Sequence, residues 1–182
     1  MEIDPRYPIG KFEPNNCPSR EECIQTIAEL SAAVRHAVIG LDENQLNTPY
    51  RDGGWTLKQT VHHIADSHIN SFCRFKLALT EDEPPTISPY YEDRWAELSD
   101  SSLPIDASLK IIDGVHERWT NLLNSMDGSD FSREFVHPET GRWTLEKVLA
   151  LYAWHSRHHT AHIIRLREAK GGRRPVFDYG GI

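Results

Sequence analysis

Cysteine is scarce in this chain. Cys17, Cys23 and Cys73 are its only three, an odd number with no C-x-x-C spacing. That argues against a disulfide framework and for a reducing compartment. Long apolar runs are missing too: nothing approaches the roughly 20 residues that span a bilayer. The first 30 residues hold Pro5, Pro8, Pro14, Pro18 and several charges, which is not the makeup of a signal peptide. A cytoplasmic protein with no membrane partner is therefore expected. Basic clusters are absent apart from Arg173-Arg174, and 20 Lys and Arg face 27 Asp and Glu, a net charge of −7. Such a chain repels a phosphate backbone, which excludes nucleic acid as the expected partner. An enzyme or binder of a small molecule remains. A chain of 182 residues is expected to form one domain, 1–182, with enough core to fold without disulfides or metal.

Four prolines and Gly10 make 1–18 an extended arm. Ser19 with Glu22 reads as a capping box, and apolar residues at helical spacing from Cys23 to Leu41 predict a first helix over about 19–40. After a Gly/Pro-bearing loop at 47–54, Thr56 and Gln59 cap a second helix that Pro84-Pro85 ends. The stretch 86–106 reads as irregular with a short helix near 92–98. A third helix is predicted over about 108–126, then a loop up to Gly141. A fourth runs from Trp143 to about Lys170, where Gly171-Gly172 stop it, and 173–182 reads as a mobile tail. The fold class is all-α, a four-helix bundle with an extended N-terminal arm, its topology left open by the long connections. Trp55-Thr56-Leu57 and Trp143-Thr144-Leu145 open the second and fourth helices alike. That is either a relic of a duplicated helix pair or two uses of one good cap.

Histidine is what the chain has in excess. Of ten, seven fall in two stretches: His62, His63 and His68, then His155, His158, His159 and His162. Imidazole is the commonest metal ligand. On the fourth helix, residues four apart share a face, and at about 100° per residue His159 lies on the apolar face, His155 at its edge, His162 a little further out and His158 well outside. The inward pair is His155 and His159. On the second helix, His68 is central on the apolar face, where the ordinary reading is a hydrogen-bonded core residue. The face argument alone nominates His68 as the helix-two ligand, but His63 shares a polar stripe with Thr60, Ser67, Asn70 and Arg74, where a wet cavity would be lined, so the choice stays open. His36, His116 and His137 read as surface or loop residues. The run His155-Ser-Arg-His-His159 lacks the glutamate of H-E-x-x-H, and no Glu-x-x-His pair supports a di-iron bundle.

Three stretches carry a family resemblance: Tyr7-Pro-Ile-Gly10; Tyr50-Arg-Asp-Gly-Gly-Trp-Thr-Leu-Lys-Gln-Thr-Val-His-His-Ile-Ala-Asp66 with Ser67-His68-Ile69-Asn70; and Leu151-Tyr-Ala-Trp-His-Ser-Arg-His-His-Thr-Ala-His162. Along nearly its whole length the chain resembles the YfiT branch of the DinB-like metal-binding bundles. The resemblance implies a homodimeric four-helix bundle with one divalent ion on three histidines. One comes from a His-x-x-Asp motif, here His63, and two from H-x-x-x-H, here His155 and His159. Asp66 could then orient the His63 ring. Zinc is the expected metal, with nickel as the alternative.

An ion on three neutral imidazoles keeps its charge and an open position, the layout of a catalytic site. It can lower the pKa of a water to about 7 or deprotonate a thiol. The expected activity is that of a metal-dependent hydrolase using a water or hydroxide. An S-transferase working with a low-molecular-weight thiol cofactor is the alternative, and a non-catalytic metal- or ligand-binding bundle is the second alternative. Asn70, Arg74 and His162 are the weak candidates for groups that touch substrate or move protons.

Overall fold

The computed structural model describes residues 4–171; the tail expected at 173–182 lies outside the described residues. Four long helices dominate: α1 Arg20–Val38, α3 Leu57–Thr80, α5 Asp106–Ser125 and α7 Leu145–Ala169. Three single-turn helices lie between them: α2 Glu43–Leu46, α4 Glu92–Trp95 and α6 Gly128–Phe131. The helix starts follow the local chemistry. Ser19 and Thr56 each accept from the third backbone N–H while Glu22 and Gln59 reach back to the cap, closing two capping boxes. Thr144 accepts from Lys147 N at 3.3 Å with no reciprocal bond, because the third position holds lysine. Arginines close two helix ends: Arg133 donates to the carbonyls of Ala78 and Glu81 on α3, and Arg167 to those of His36 and Ala37 on α1.

The connection expected to be a loop up to Gly141 holds structure. After α6 the chain forms an antiparallel hairpin of β1 Glu134–His137 and β2 Gly141–Thr144, with Phe135 opposite Trp143. Gly141 has φ +82°, a turn conformation that favours glycine. The segment after Pro84-Pro85 runs beside β1: Ile87 N donates to Val136 O and Val136 N to Pro85 O, both at 2.9 Å. Phe135 is buried, so a four-residue strand with one inward side chain had too little alternation to register as a strand. The predicted helix near 92–98 is shorter than expected, ending at Trp95 before a 3-10 turn at Ser99–Ser102.

Each long helix packs on two neighbours: α1 on α5 and α7, and α3 on α5 and α7. The consecutive pairs α1/α3 and α5/α7 are therefore diagonal. Two apolar clusters give the directions. One takes Cys23 and Ile27 from the start of α1, Phe72 and Phe75 from the later part of α3, Trp119 and Leu123 from the later part of α5, and Leu145 and Leu149 from the start of α7. The other takes Leu30 and Val34, then Leu57, Val61 and Ile64, then Leu109 and Ile112, then Ile163 and Ile164. So α1 and α7 run one way and α3 and α5 the other. The parallel neighbours α3 and α5 need a crossover of bundle length, which residues 81–105 supply. Each buried Leu, Ile or Phe contributes about 1.5–3 kcal/mol, and the two clusters hold the bundle from both ends. Between them lies a polar layer containing His63, Ser67, His68 and Ser71 of α3, His116 of α5, and His155, Ser156 and His159 of α7.

The arm lies along α7. His162 Nε2 donates to Pro5 O at 3.1 Å, Trp154 Nε1 donates to Gly10 O at 3.3 Å, and Phe12 packs beside Trp154. Among the described residues no helix is long and apolar enough to cross a membrane.

Candidate metal centre

His63, His155 and His159 converge in the polar layer, each offering one ring nitrogen, all within 4.8 Å of one another. The antiparallel packing of α3 on α7 brings His63 across to the i, i+4 pair. His63 Nε2 lies 3.2 Å from His155 Nε2, and the His63 ring centroid is 4.8 Å from that of His159. Trp55, placed by the turn before the α3 cap, packs against His63 at 4.5 Å between centroids. Burial, with His158 nearby, lowers the His63 pKa to about 4. His155 and His159 are pushed well below the ordinary value, first by burial and then by neighbouring imidazoles. Neutral rings with bare nitrogens and no carboxylate among them suit a borderline cation such as Zn²⁺ or Ni²⁺.

Two cavities reach these rings. One, of about 580 Å³, is lined by Ser67, Arg74, Tyr90, Arg94, Tyr152 and His155 among others. The second, of about 360 Å³, is lined by Tyr50, Arg51, Trp55, Trp154 and by His63, His155, His158 and His159. Glu92 and Asp93 of α4 border both. Nothing in the sequence marked these two carboxylates or Tyr90; the irregular crossover that carries them has no periodicity to read.

His158, His159 and His162 form a second group whose nitrogens also lie within 4.8 Å. His158 was expected well outside the buried face, yet it is buried, stacked on Trp154 at 4.3 Å between centroids with Tyr7 of the arm nearby. The helical-wheel argument could not see the arm that covers it. Tyr50 stacks on His162 at 4.0 Å. The Nδ1 atoms of His158, His159 and His162 are buried with no hydrogen-bond partner. Burial lowers His158 to about 4, and burial with His158 lowers His162 to about 3.

His116 also departs from expectation. It is buried within the bundle, 2 % exposed, rather than at the surface. Its Nδ1 lies 2.6 Å from Ile27 O and its Nε2 3.0 Å from His68 Nδ1. His68 is the hydrogen-bonded core residue anticipated, fully buried, its Nε2 3.1 Å from His155 Nδ1. His137 sits on β1 and borders the larger cavity. Asn70 donates to Asp66 O in its own helix, and Arg74 reaches Ser88 O at 3.4 Å while lining the larger cavity. No hydrogen bond joins Asp66 to His63 among the described residues. The Asp66 carboxyl is raised to about 6 by burial and by Asp100.

A helical bundle whose polar layer gathers three neutral imidazoles at the meeting of two cavities defines a class of metal-binding bundle. Residues 26–163 match the DinB superfamily, and the chain belongs to it. It is 54 % identical over 169 residues to a Bacillus cereus B4264 protein named "Putative metal-dependent hydrolase", covering 91 % of this chain and 96 % of that one. It is 52 % identical over 168 residues to a Bacillus mycoides KBAB4 protein of the same description, with the same coverage. The fold matches YfiT from Bacillus subtilis, described as "a probable metal-dependent hydrolase with an unusual four-helix bundle topology", at TM-score 0.88 and 46 % identity, over 94 % of this chain and 100 % of that one. A mycothiol-dependent maleylpyruvate isomerase shares the fold at TM-score 0.66 and 16 % identity, over 84 % of this chain and 63 % of that one.

Proposed function

We propose that His63, His155 and His159 hold one divalent ion, zinc with nickel as the alternative, and that the protein is a metal-dependent hydrolase of a small molecule. The observation that carries this is the convergence of three uncharged imidazoles, His63 and His159 buried and His155 half-buried, where two cavities meet. An ion held this way supplies Lewis acidity and hydroxide at neutral pH. The chain supplies the rest. Trp55 packs against His63 and keeps water from that side of the ring. Tyr152 is held by Ser67, with its hydroxyl 3.2 Å from both Ser67 Oγ and Ser67 O. Arg74 of α3 and the consecutive Glu92, Asp93 and Arg94 of α4 line a chamber of mixed charge that suits a polar substrate bearing ionised groups. One ion at a time occupies the histidines. A second on His158 and His162 would have to share His159 with the first, and two dications at so short a range repel.

Transfer with a low-molecular-weight thiol is the second reading. Its support is the pair of chambers that both reach His155, room for two molecules at one centre. A homodimer belongs to the same proposal, and a monomer in sedimentation equilibrium would remove it. The first experiment is metal analysis of protein made without a His-tag or nickel resin, beside His63→Ala and His155→Ala. About one ion per chain, lost in both variants, is expected. A metal-free parent, or variants that keep the ion, would sink the assignment. Zinc-loaded protein screened on esters, amides and thiol acceptors then separates the two readings.

A further inference from the structure

Three hydrogen bonds cross the bundle in one line, Ile27 O to His116 Nδ1 at 2.6 Å, His116 Nε2 to His68 Nδ1 at 3.0 Å and His68 Nε2 to His155 Nδ1 at 3.1 Å, and they end at His155, whose Nε2 faces His63 Nε2 at 3.2 Å. The line touches all four long helices. We infer that His116 and His68 are positioning residues, and that this chain, anchored on the Ile27 carbonyl, fixes the tautomer that leaves His155 Nε2 bare toward the metal position. The inference rests on the triad assignment above for what the bare nitrogen is for, and on the hydrogen bonds together with a neutral, buried His116 for its direction.

The direction follows from donor and acceptor chemistry. A carbonyl oxygen only accepts, so His116 Nδ1 carries a proton. A neutral imidazole has one N–H, so His116 Nε2 is the acceptor and His68 Nδ1 must donate to it. His68 Nε2 is then the acceptor and His155 Nδ1 donates in turn. That leaves the lone pair of His155 Nε2 without a proton, which is the state a metal ligand needs. If His116 were doubly protonated the order would reverse. His68 would accept at Nδ1 and donate at Nε2, His155 would accept at Nδ1, and its remaining proton would block Nε2.

The surroundings hold the neutral form. His68 is fully buried, with the rings of Trp119, Tyr152 and His116 about it. His116 is lowered to about 4 by burial, which outweighs the raising influences of the Ile27 carbonyl and of Asp113. Asp113 is the carboxylate that would favour a charged His116, and it is already engaged by Arg35 and Ser31 of α1. The Ile27 carbonyl has a second lone pair, so accepting from His116 does not require giving up its helical bond.

The test has two independent readouts. In metal-free, ¹⁵N-labelled protein, long-range imidazole spectra should show His116, His68 and His155 all as neutral Nδ1–H tautomers. An Nε2–H form at any of the three overturns the chain, whether or not the protein binds metal. Zinc affinity by chelator competition is the second. His68→Leu should weaken zinc by roughly 10–100-fold, the range for partners that orient a ligand, and His116→Leu by less. His68→Gln and His116→Gln should stay within about threefold of the parent, because one amide carries both the donor and the acceptor the chain needs. Leucine variants that bind zinc like the parent overturn the inference, as do folded glutamine variants that lose as much as the leucine ones. If the leucine variants do not fold, the parent spectra and the glutamine pair still decide. A parent that binds no zinc sinks the proposed triad, while the spectra continue to judge the chain.

Discussion

His68 and His116 lie on one side of the polar layer, and His158, His159 and His162 on the other. Both groups are buried, yet their hydrogen bonding differs. Every ring nitrogen of His68 and His116 has a partner. On the cavity side, the Nδ1 atoms of His158, His159 and His162 have none among the described residues. A buried polar atom without a partner costs about 1–3 kcal/mol. The fully partnered rings therefore belong to the fold and to the orientation of a neighbour. Of the rings with a bare Nδ1, His159 is the one shared with the proposed triad.

The largest effect that would break this comparison is on metal binding. Structural zinc sites with four ligands bind with about 10–16 kcal/mol, or about 3 kcal/mol per ligand. His159→Ala should therefore weaken zinc by roughly 100-fold or more, whereas His158→Ala should cost less than about tenfold. Equal losses in equilibrium dialysis would move the ion to the other group. Acidification of the metal-free protein is next. His116 has a folded pKa of about 4 against an unfolded value near 6.5, so the unfolded chain binds the extra proton first. Its contribution is present above pH 6.5 and is lost as pH falls toward 4. It amounts to on the order of 3 kcal/mol, and urea titrations should show stability declining through that window. Flat stability from pH 7 to 4 would contradict a neutral buried His116. The smallest effect compares the two Trp-Thr-Leu starts. Thr56→Ala, which breaks a complete capping box, should cost about 1 kcal/mol, and Thr144→Ala about 0.5 kcal/mol. The reverse order in thermal melts would mean that tertiary contacts, not the caps, set those ends.

Much of the bundle was legible because its signals are local. The Ser19 and Thr56 boxes, the proline stops and the 3.6-residue apolar spacing each depend on neighbours within a turn or two. The hairpin at 134–144 was not legible: its pairing is short, its one buried side chain is Phe135, and its edge is completed by the distant segment after Pro84-Pro85. At the site, the i, i+4 relation of His155 and His159 is a property of one helix. The choice of His63 over His68 came from a family resemblance, since the helical face alone favoured His68.

The residue order by itself determined four amphipathic helices, their caps and a histidine-rich face on two of them, because helix formation and capping act through bonds three and four residues away. Only the tertiary structure decided that α3 and α5 run parallel, that the arm covers His158, and that His116 enters the bundle to meet His68. Those outcomes depend on which faces meet between neighbours that lie far apart in sequence. The Ile27 carbonyl reaches His116 across 89 positions of sequence, a pairing that no local periodicity records.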